Sequence, residues 1–349
     1  MRVLVISNMY PSKQKPYSGL FVVNQVNEIK KQLPDANIDF FYLKRSFTSK
    51  KGTVLKYLFF AVRFLKYFFK PKYEILHVHY YFPTIYLAIF YKKLINKKVN
   101  IIVTFHGGDY YMQDVKSYIY VFPFQFIDKI ICVSKNLGNH LSKEFNIKEP
   151  IILSAGINNI FSPPNHFVKK KYDLIYVGSF YTQKGFDLFC KAVNLCKNNL
   201  SICIVGSGYL ENNITEIHSI HSIKLFKNLT QEQILPLIHT SKYLINTSRE
   251  ESFGLSMAEA MASGTPVIAT STDGSQQQVR DSKNGFLTVD KSLESIAKTI
   301  DFALSLGSED YDTLRQNAII DGQKQNVNSI VTRLNELYRE IDISKSVNR

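Results

Sequence analysis

The feature that most constrains the fold of this chain is a repeated alternation of short apolar segments, rich in β-branched residues, with longer helical segments. Six strand-like segments precede residue 160 and six follow residue 170. Strands that alternate with helices along a chain form parallel sheets. The sequence therefore predicts an α/β protein with two doubly wound sheets. The predicted strands are RVLVIS, NIDFFYL, ILHVHY, NIIVTFH, KIICVS, PIILSA, YDLIYVG, LSICIVG, IKLF, KYLINTS, TPVIAT and GFLTV.

One break in this pattern lies at residues 159–173, NIFSPPNHFVKKKYD, where two prolines and three consecutive lysines interrupt any strand or helix period. Such a segment is typical of a linker. We therefore expect an N-terminal domain of residues 1–163 and a C-terminal domain of residues 164–325, facing each other across a cleft. Residues 326–349 carry an apolar stripe at helical spacing, which is capable of packing on either domain.

Composition excludes several classes of protein. Apolar residues make up 45% of the chain, and Tyr and Phe together number 46, so general disorder is excluded. The four cysteines include no C-x-x-C pair and are too few for a disulfide framework in 349 residues, which is typical of a reducing compartment. No window of 18 residues is free of charge, so we expect no transmembrane span.

The excess positive charge is confined to the first hundred residues. They hold 18 Lys or Arg against 4 Asp or Glu, whereas the remaining 249 residues hold 25 of each. A protein that wraps nucleic acid would be basic throughout, so no nucleic-acid partner is expected. A local basic surface with a local partner is the better interpretation.

The segment VLKYLFFAVRFLKYFFK, residues 54–70, combines basic and aromatic residues at helical spacing. On a helical wheel its four basic residues occupy one arc, opposite an apolar face. This pattern is typical of a helix that lies on an anionic membrane surface. The alternative is that the apolar face packs on the first domain and the basic side chains are merely solvated. The candidate membrane residues are Lys56, Arg63, Lys66 and Lys70.

The most specific segment is KYLINTSREESFGLSMAEAMASGTPVIAT, residues 242–270. It predicts a strand, a polar loop, a helix of small residues, a turn and a second strand. The helix is expected to begin near Gly254, so that Glu251 lies in the loop and Glu259 lies about one turn inside the helix. A loop carboxylate and a helix carboxylate can converge on one ligand, such as a sugar and a ribose.

A helix that begins at this point leaves backbone amides free at its N-terminus, in Gly254, Leu255 and Ser256. Such amides bind anions, because they point at the ligand and the helix dipole favours negative charge. The segment therefore predicts an anion site, at which a diphosphate can sit between the two carboxylates.

These residues resemble the retaining glycosyltransferases of family 4. The E-x7-E motif of that family is matched by Glu251 and Glu259, with F-G, E-A-M-A and G-T-P-V around them. The resemblance implies the GT-B fold, in which two Rossmann-like domains face a cleft and the C-terminal helix packs back on the N-terminal domain. It also implies that Glu251 contacts the transferred sugar, that Glu259 contacts the nucleotide ribose, and that the amides after Phe253 hold the diphosphate.

A second segment similar to the family is YVGSFYTQKGFDLFCKAV, residues 176–193, which resembles the glycine loop of the nucleotide domain. Gly178 and Lys184 match the family pattern, whereas Ser179 stands where the family usually has a phosphate-binding arginine. The resemblance then implies that Lys184, the helix amides and Arg249 neutralise the donor diphosphate.

The N-terminal half contributes two candidates. The segment MYPSKQKPYSGLFVVNQVNEI resembles the long first loop of the family, which ends in a glycine before a helix. The resemblance implies that Gly19 allows the backbone to approach the donor diphosphate closely. In IIVTFHGGD, residues 101–109, His106 ends an apolar strand, and the resemblance implies that it contacts the donor sugar. His77 and His79 share one face of a strand and raise the hypothesis of a metal site. Two ligands without a third at suitable spacing are a weak signal, so no metal is expected.

Together these features predict a retaining hexosyltransferase that moves a sugar from a UDP- or GDP-linked donor to an acceptor hydroxyl, without a cofactor. The expected acceptor is a glycan or lipid-linked glycan, in cell-surface polysaccharide or glycolipid assembly. The expected location is cytoplasmic and peripheral, at the inner face of the plasma membrane. Two alternatives remain: a catalytically weak or inactive GT-B protein that binds membranes or polyanions, and a nucleotide-sugar epimerase or phosphorylase on the same fold.

Overall fold

The computed structural model describes residues 1–12, 17–43, 50–111, 113, 115–148 and 150–347, with the side chains of residues 50–54 and 342–347 left out. The chain divides into two compact units. The first is Met1–Gly156 with the C-terminal segment that starts at Val327, and the second is Ile157–Asn326. The second unit begins before residue 163, because the N–H of Ile157 donates to the carbonyl of Gln325 at 2.8 Å.

The first unit is built on a sheet of six strands in the order β2-β1-β3-β4-β5-β6. Every neighbouring pair is parallel. The order reverses between β1 and β3, so the loops that leave their carboxyl ends meet at a switch point, where doubly wound folds bind ligands. The strands are β1 Arg2–Ser7, β2 Asn37–Tyr42, β3 Ile75–His79, β4 Asn100–Phe105, β5 Lys129–Cys132 and β6 Ile151–Ile152.

Helices connect these strands, and two short 3₁₀ segments, Leu65–Phe69 and Phe122–Phe126, continue two of them. The helices before the linker are α1 Leu20–Gln32, α2 Lys50–Phe64, α3 Tyr81–Leu94, α4 Gly108–Tyr111, α5 Tyr118–Val121 and α6 Lys135–Phe145. A long C-terminal helix, numbered α13 in chain order, spans Val327–Val347 and returns to this unit.

Helix α13 lies against α1 and completes the core of the first unit. Its buried residues share one core with Val3, Ile75 and Ile102 of the sheet. The expectation that the C-terminal helix packs back on the N-terminal domain is therefore confirmed. The buried apolar residues of α13 are Val327, Ile330, Val331, Leu334, Leu337, Tyr338 and Ile341.

The second unit also contains a six-stranded parallel sheet, in the order β12-β11-β10-β7-β8-β9. Its first and fourth strands, β7 and β10, are neighbours at the centre, which is the strand order of the Rossmann fold. The twelve strand segments predicted from the sequence are all present. The strands are β7 Tyr172–Val177, β8 Ser201–Val205, β9 Ser222–Phe226, β10 Ser241–Asn246, β11 Val267–Ala269 and β12 Gly285–Leu287.

The helices of the second unit follow the strands in the expected alternation. They are α7 Phe186–Ala192, α8 Gln231–His239, α9 Leu255–Ala262, α10 Asp273–Gln278, α11 Leu293–Leu304 and α12 Ser308–Gln323, with 3₁₀ segments at Thr182–Lys184, Val193–Leu195 and Glu211–Glu216. The core is separate from that of the first unit and includes Phe180, Phe186 and Ile268. The four cysteines of the chain are buried and unpaired.

Candidate functional site

The switch point of the second unit lies between β7 and β10, and each strand is followed by a polar loop. Lys184 comes from the loop after β7, and Glu251 comes from the loop after β10. The two side chains form an ion pair, with 2.5 Å between Nζ of Lys184 and Oε2 of Glu251. Gly185 lets the two loops lie close together, since a Cβ there would collide with the backbone of Thr247. The fold thus brings two of the predicted site residues into direct contact.

Helix α9 begins at Leu255, directly after Gly254, as the sequence predicted. Gly254 has a φ of 85°, in the left-handed region that favours glycine. No side chain in the described part of the chain caps this helix end, so the amides of the first turn, including those of Leu255 and Ser256, remain available to an anion. Phe253 is buried and anchors the loop before the helix.

Two residues that the sequence did not single out brace this loop. The side-chain amide of Gln278 donates to the carbonyls of Phe253 and Gly254. The N–H of Gly274 donates to the carbonyl of Glu251 at 2.7 Å. Both residues lie in α10, so the helix that follows β11 fixes the geometry of the loop that carries Glu251. In the sequence, the one indication of this role is that both residues lie shortly after β11.

Glu259 lies on the first turns of α9 and is joined to a short chain of amide side chains. Nε2 of Gln231 donates to Oε1 of Glu259 at 3.0 Å, and Nδ2 of Asn158 donates to Oε1 of Gln231 at 3.0 Å. Burial raises the pKa of Glu259 to about 8, although the hydrogen bond from Gln231 opposes this shift. Gln231 begins α8 and is a partner that the sequence analysis missed.

The other expected phosphate-binding groups are arranged differently. The guanidinium of Arg249 forms a bidentate ion pair with Asp187, with both N–O distances 2.7 Å, and also donates to the carbonyl of Thr182. Its charge is therefore already compensated. Ser179 is exposed on the loop after β7, while the N–H of Gly178 donates to the carbonyl of Val205 at 3.0 Å. Lys184 is thus the cation that lies beside Glu251.

In the first unit, His106 follows β4 at the carboxyl edge of the sheet. It is partly exposed, and its ring lies 4.9 Å from that of Phe21 and 4.7 Å from that of Tyr80. Its backbone N–H donates to the buried carboxyl group of Asp109 at 2.9 Å, which also accepts the N–H of Tyr81 at 3.1 Å. Burial raises the pKa of Asp109 to about 6. Asp109 thereby fixes the backbone at two positions of this edge, His106 after β4 and Tyr81 after β3.

Gly19 precedes α1 with a φ of 69°, and a Cβ there would lie 2.8 Å from the carbonyl carbon of Met9. The packing of the chain itself therefore requires glycine at this position. His77 and His79 are buried beside His106. Within the described residues there is no group of three or more His, Cys, Asp or Glu side chains that could hold a metal ion.

The amphipathic segment presents two different faces. Phe60, Phe64 and Tyr67 are buried and pack around Phe41 of β2. A second apolar face is exposed; we call it the α2 face, and it comprises Leu55, Leu58, Phe59, Val62, Leu65 and Phe69. One apolar face of this segment therefore packs on the sheet, as the alternative interpretation expected, and the other is exposed.

Of the candidate membrane residues, Arg63 and Lys66 are exposed and Lys56 is partly exposed. Lys70 differs, because its ammonium group pairs with Asp39 at 2.8 Å. The helix ends in the 3₁₀ segment, and Phe68 there contacts the exposed ring of Phe90 on α3. Among the described residues, no helix is both long enough and apolar enough to cross a membrane.

Comparison with known families decides the identity. A sequence model described as Glycosyltransferase Family 4 matches residues 17–158, and one described as Glycosyl transferases group 1 matches residues 158–321. The chain belongs to glycosyltransferase family 4. The resemblance inferred from Glu251 and Glu259 is thereby confirmed.

Similar proteins agree with this assignment and with the GT-B fold. An uncharacterized glycosyltransferase of Methanocaldococcus jannaschii is 27% identical over 278 residues, which cover 77% of this chain and 76% of that protein. The structure of sucrose-phosphate synthase from Thermosynechococcus elongatus matches 99% of this chain and 100% of its own, with a TM-score of 0.83 and 17% identity. The Anabaena protein Alr3699/HepE in complex with UDP-glucose matches 97% of this chain and 100% of its own, with a TM-score of 0.72 and 15% identity.

Proposed function

We propose that this family 4 glycosyltransferase transfers a sugar from a UDP- or GDP-linked donor to an acceptor hydroxyl with retention of anomeric configuration. The observation that carries the proposal is the Lys184–Glu251 ion pair at the switch point of the second unit, beside the uncapped start of α9. A cation, a carboxylate and a set of free amides are the groups that a sugar diphosphate requires.

The ion pair implies an exchange of partners when the donor binds. The ammonium group of Lys184 leaves Glu251 for the diphosphate, and the carboxylate of Glu251 becomes free to accept hydrogen bonds from sugar hydroxyls. The amides of Leu255 and Ser256 hold the phosphate oxygens on which charge develops. Because these groups can neutralise the leaving diphosphate, the proposed reaction requires no metal ion or other cofactor.

The chemical step transfers the glycosyl group without a protein nucleophile. The bond between the anomeric carbon and the phosphate oxygen breaks, and its electron pair stays on the leaving nucleoside diphosphate. The acceptor oxygen bonds to the same face of the anomeric carbon, and its proton passes to the leaving phosphate oxygen. Glu251 and His106 are the residues assigned to the sugar, and Glu259 is assigned to the ribose.

The Anabaena structure supports a uridine nucleotide as the first donor to test, since that protein of the same fold was solved with UDP-glucose. A specific observation favours a second candidate, a protein with weak or no turnover. Ser179 replaces the usual arginine, and Arg249 is compensated by Asp187. Calorimetry with UDP and GDP separates the two, because an enzyme must bind one of them and an inactive protein need bind neither.

Replacement of Glu251 by Ala tests the assignment directly. We expect turnover to fall by at least about a hundredfold, as for the loss of one preorganised transition-state contact. Nucleoside diphosphate binding should persist, because the substitution frees Lys184 from its partner. The measurement is steady-state transfer from the best donor, with circular dichroism as the check on folding. Turnover equal to that of the unmodified enzyme would refute the role of Glu251.

We also infer that the first unit binds the surface of an anionic membrane through the α2 face. Six apolar side chains are exposed there, flanked by the exposed cations Arg63 and Lys66. Apolar side chains that enter the headgroup region and cations that attract anionic lipids act together in peripheral binding. This placement supports a lipid-linked glycan as the acceptor, hence cell-surface polysaccharide or glycolipid assembly at the inner face of the plasma membrane.

A further inference from the structure

Three histidines of the first unit form a contiguous cluster, and the proposed chemistry assigns a role to His106 but none to the other two. His77 and His79 lie on one face of β3, and their ring centroids are 4.3 Å apart. The ring of His79 stacks on that of His106 at 5.4 Å and 19°. Nδ1 of His79 lies 3.1 Å from Nε2 of His106, so the two rings share one hydrogen bond.

The sheet register creates this arrangement. His77 pairs with Ile102, and His79 pairs with Thr104. Each of these two histidines therefore contacts, on the diagonal, the residue that lies two positions after its pairing partner. His77 contacts Thr104 through Nε2 at 2.7 Å, and His79 contacts His106 in the same direction. On its other nitrogen, His77 meets the hydroxyl of Tyr338 on α13 at 2.6 Å.

The remaining nitrogen of His79 decides which ring donates. Nε2 of His79 is buried and has no hydrogen-bond partner among the described residues. If His106 donated to His79, the only proton of His79 would sit on this Nε2, as a buried N–H without an acceptor. If His79 donates instead, Nε2 is only a lone pair. Buried N–H groups without partners are rarer than under-satisfied acceptors, so His79 is the donor.

A neutral imidazole carries one proton. Burial lowers the pKa of His79 to about 3 and, together with the neighbouring His79, lowers the pKa of His106 well below its usual value. Both rings are therefore neutral at ordinary pH. With Nε2 of His106 occupied as an acceptor, its proton must reside on Nδ1. The partly exposed ring of His106 then offers a donor to its surroundings.

We propose that His79 is a positioning residue that fixes His106 in the Nδ1–H tautomer, so that His106 acts as a hydrogen-bond donor and not as a base. The consequence for specificity is that the substrate atom facing His106 is an acceptor, such as a sugar hydroxyl oxygen. Its kinetic consequence rests on the proposed transferase function, whereas the tautomer itself does not.

Nitrogen-15 spectra of the full-length protein with labelled histidine test the tautomer directly, since a protonated and an unprotonated ring nitrogen resonate in separate regions. The His106 signals are assigned by their loss in His106→Asn. We expect Nδ1–H in the unmodified protein and Nε2–H in His79→Asp, because a carboxylate can only accept. Tyr338→Phe, which touches His77 but not His79, should leave the His106 tautomer unchanged. An Nε2–H tautomer in the unmodified protein overturns the proposal.

Kinetics provide a second measurement, which would not change if His79 had a purely structural role. His79→Leu and His79→Asp should lower kcat by about tenfold or more while the donor KM stays within a few-fold of its original value. Equal kcat in His79→Asp, despite a reversed tautomer, overturns the mechanistic part. Absence of any transfer by the unmodified protein would instead count against the proposed function, and the spectra would still decide the role of His79.

Discussion

At the scale of single residues, the carboxyl group of Glu259 carries the clearest pH signature. Its pKa is raised from 4.5 to about 8, so at pH 7 the free protein holds this group protonated. Ribose hydroxyls that donate to it favour the carboxylate and lower that pKa. We expect UDP or GDP binding at pH 7 to release a proton from Glu259, and affinity to rise as the pH increases towards 8.

Calorimetric titration at pH 7 in buffers of different ionisation enthalpy measures this release. Glu259→Gln is the control, because it keeps the hydrogen-bonding shape and removes the titration, while the terminal phosphate of the nucleotide contributes equally in both proteins. Heats that differ between buffers to the same extent in both proteins would contradict the prediction. The same substitution should also remove a loss of folding stability between about pH 4.5 and 8, where the unfolded chain ionises this group and the folded protein resists ionisation.

The residues of the motif could be predicted, but their partners could not. Glu251, Glu259 and Lys184 were identified because short sequence patterns surround each of them. Gln231 and Asn158 reach Glu259 from remote parts of the chain, and no local pattern indicates such contacts. The ion pair of Arg249 with Asp187 could not be predicted for the same reason, since 62 residues separate the partners.

At the scale of secondary-structure elements, α9 was predictable and α2 only in part. The start of α9 follows from a glycine in a polar loop before a run of small apolar residues. In α2, apolar residues surround most of the helix, so periodicity alone does not select the buried face. Contact with Phe41 of β2 selects Phe60 and Phe64, which leaves Leu58 and Phe59 exposed.

The α2 face therefore makes a testable prediction about membranes. We expect the full-length protein to sediment with vesicles that contain anionic lipid, less so at high salt, and not with neutral vesicles. Each basic residue near such a surface contributes about 1 kcal/mol, so Arg63→Glu with Lys66→Glu should lower partitioning by at least about tenfold. Leu58→Ser with Phe59→Ser should lower it while leaving every charge in place.

A matched control reverses the charge of two exposed lysines of the second unit, with Lys197→Glu and Lys298→Glu. These substitutions change the net charge as much as the Arg63 and Lys66 pair does, so binding through overall charge would weaken equally in both. Sedimentation that falls equally in both pairs, or that is unchanged by the loss of Leu58 and Phe59, would reject binding through the α2 face.

At the scale of the whole molecule, each unit has a separate apolar core, and α13 contributes to the first core although it follows the second unit in sequence. The strand and helix pattern predicted both sheets, because each strand carries its own apolar signal. The apolar stripe of α13, taken alone, was compatible with packing on either domain. Only the contacts of α13 with α1 and the first sheet show which core it completes.

This division predicts that the two units respond separately to a core substitution and to nucleotide. Leu334 on α13 is 0% exposed, so Leu334→Ala should destabilise the first unit by about 2 to 5 kcal/mol. UDP or GDP at a hundred times its Kd should stabilise the second unit by about 2.7 kcal/mol. Scanning calorimetry should then show two transitions, one lowered by Leu334→Ala and the other raised by nucleotide. Leu94→Ala, at an exposed leucine of the first unit, should move neither. A single transition shifted by both changes would mean that the units unfold together, and would contradict their independence.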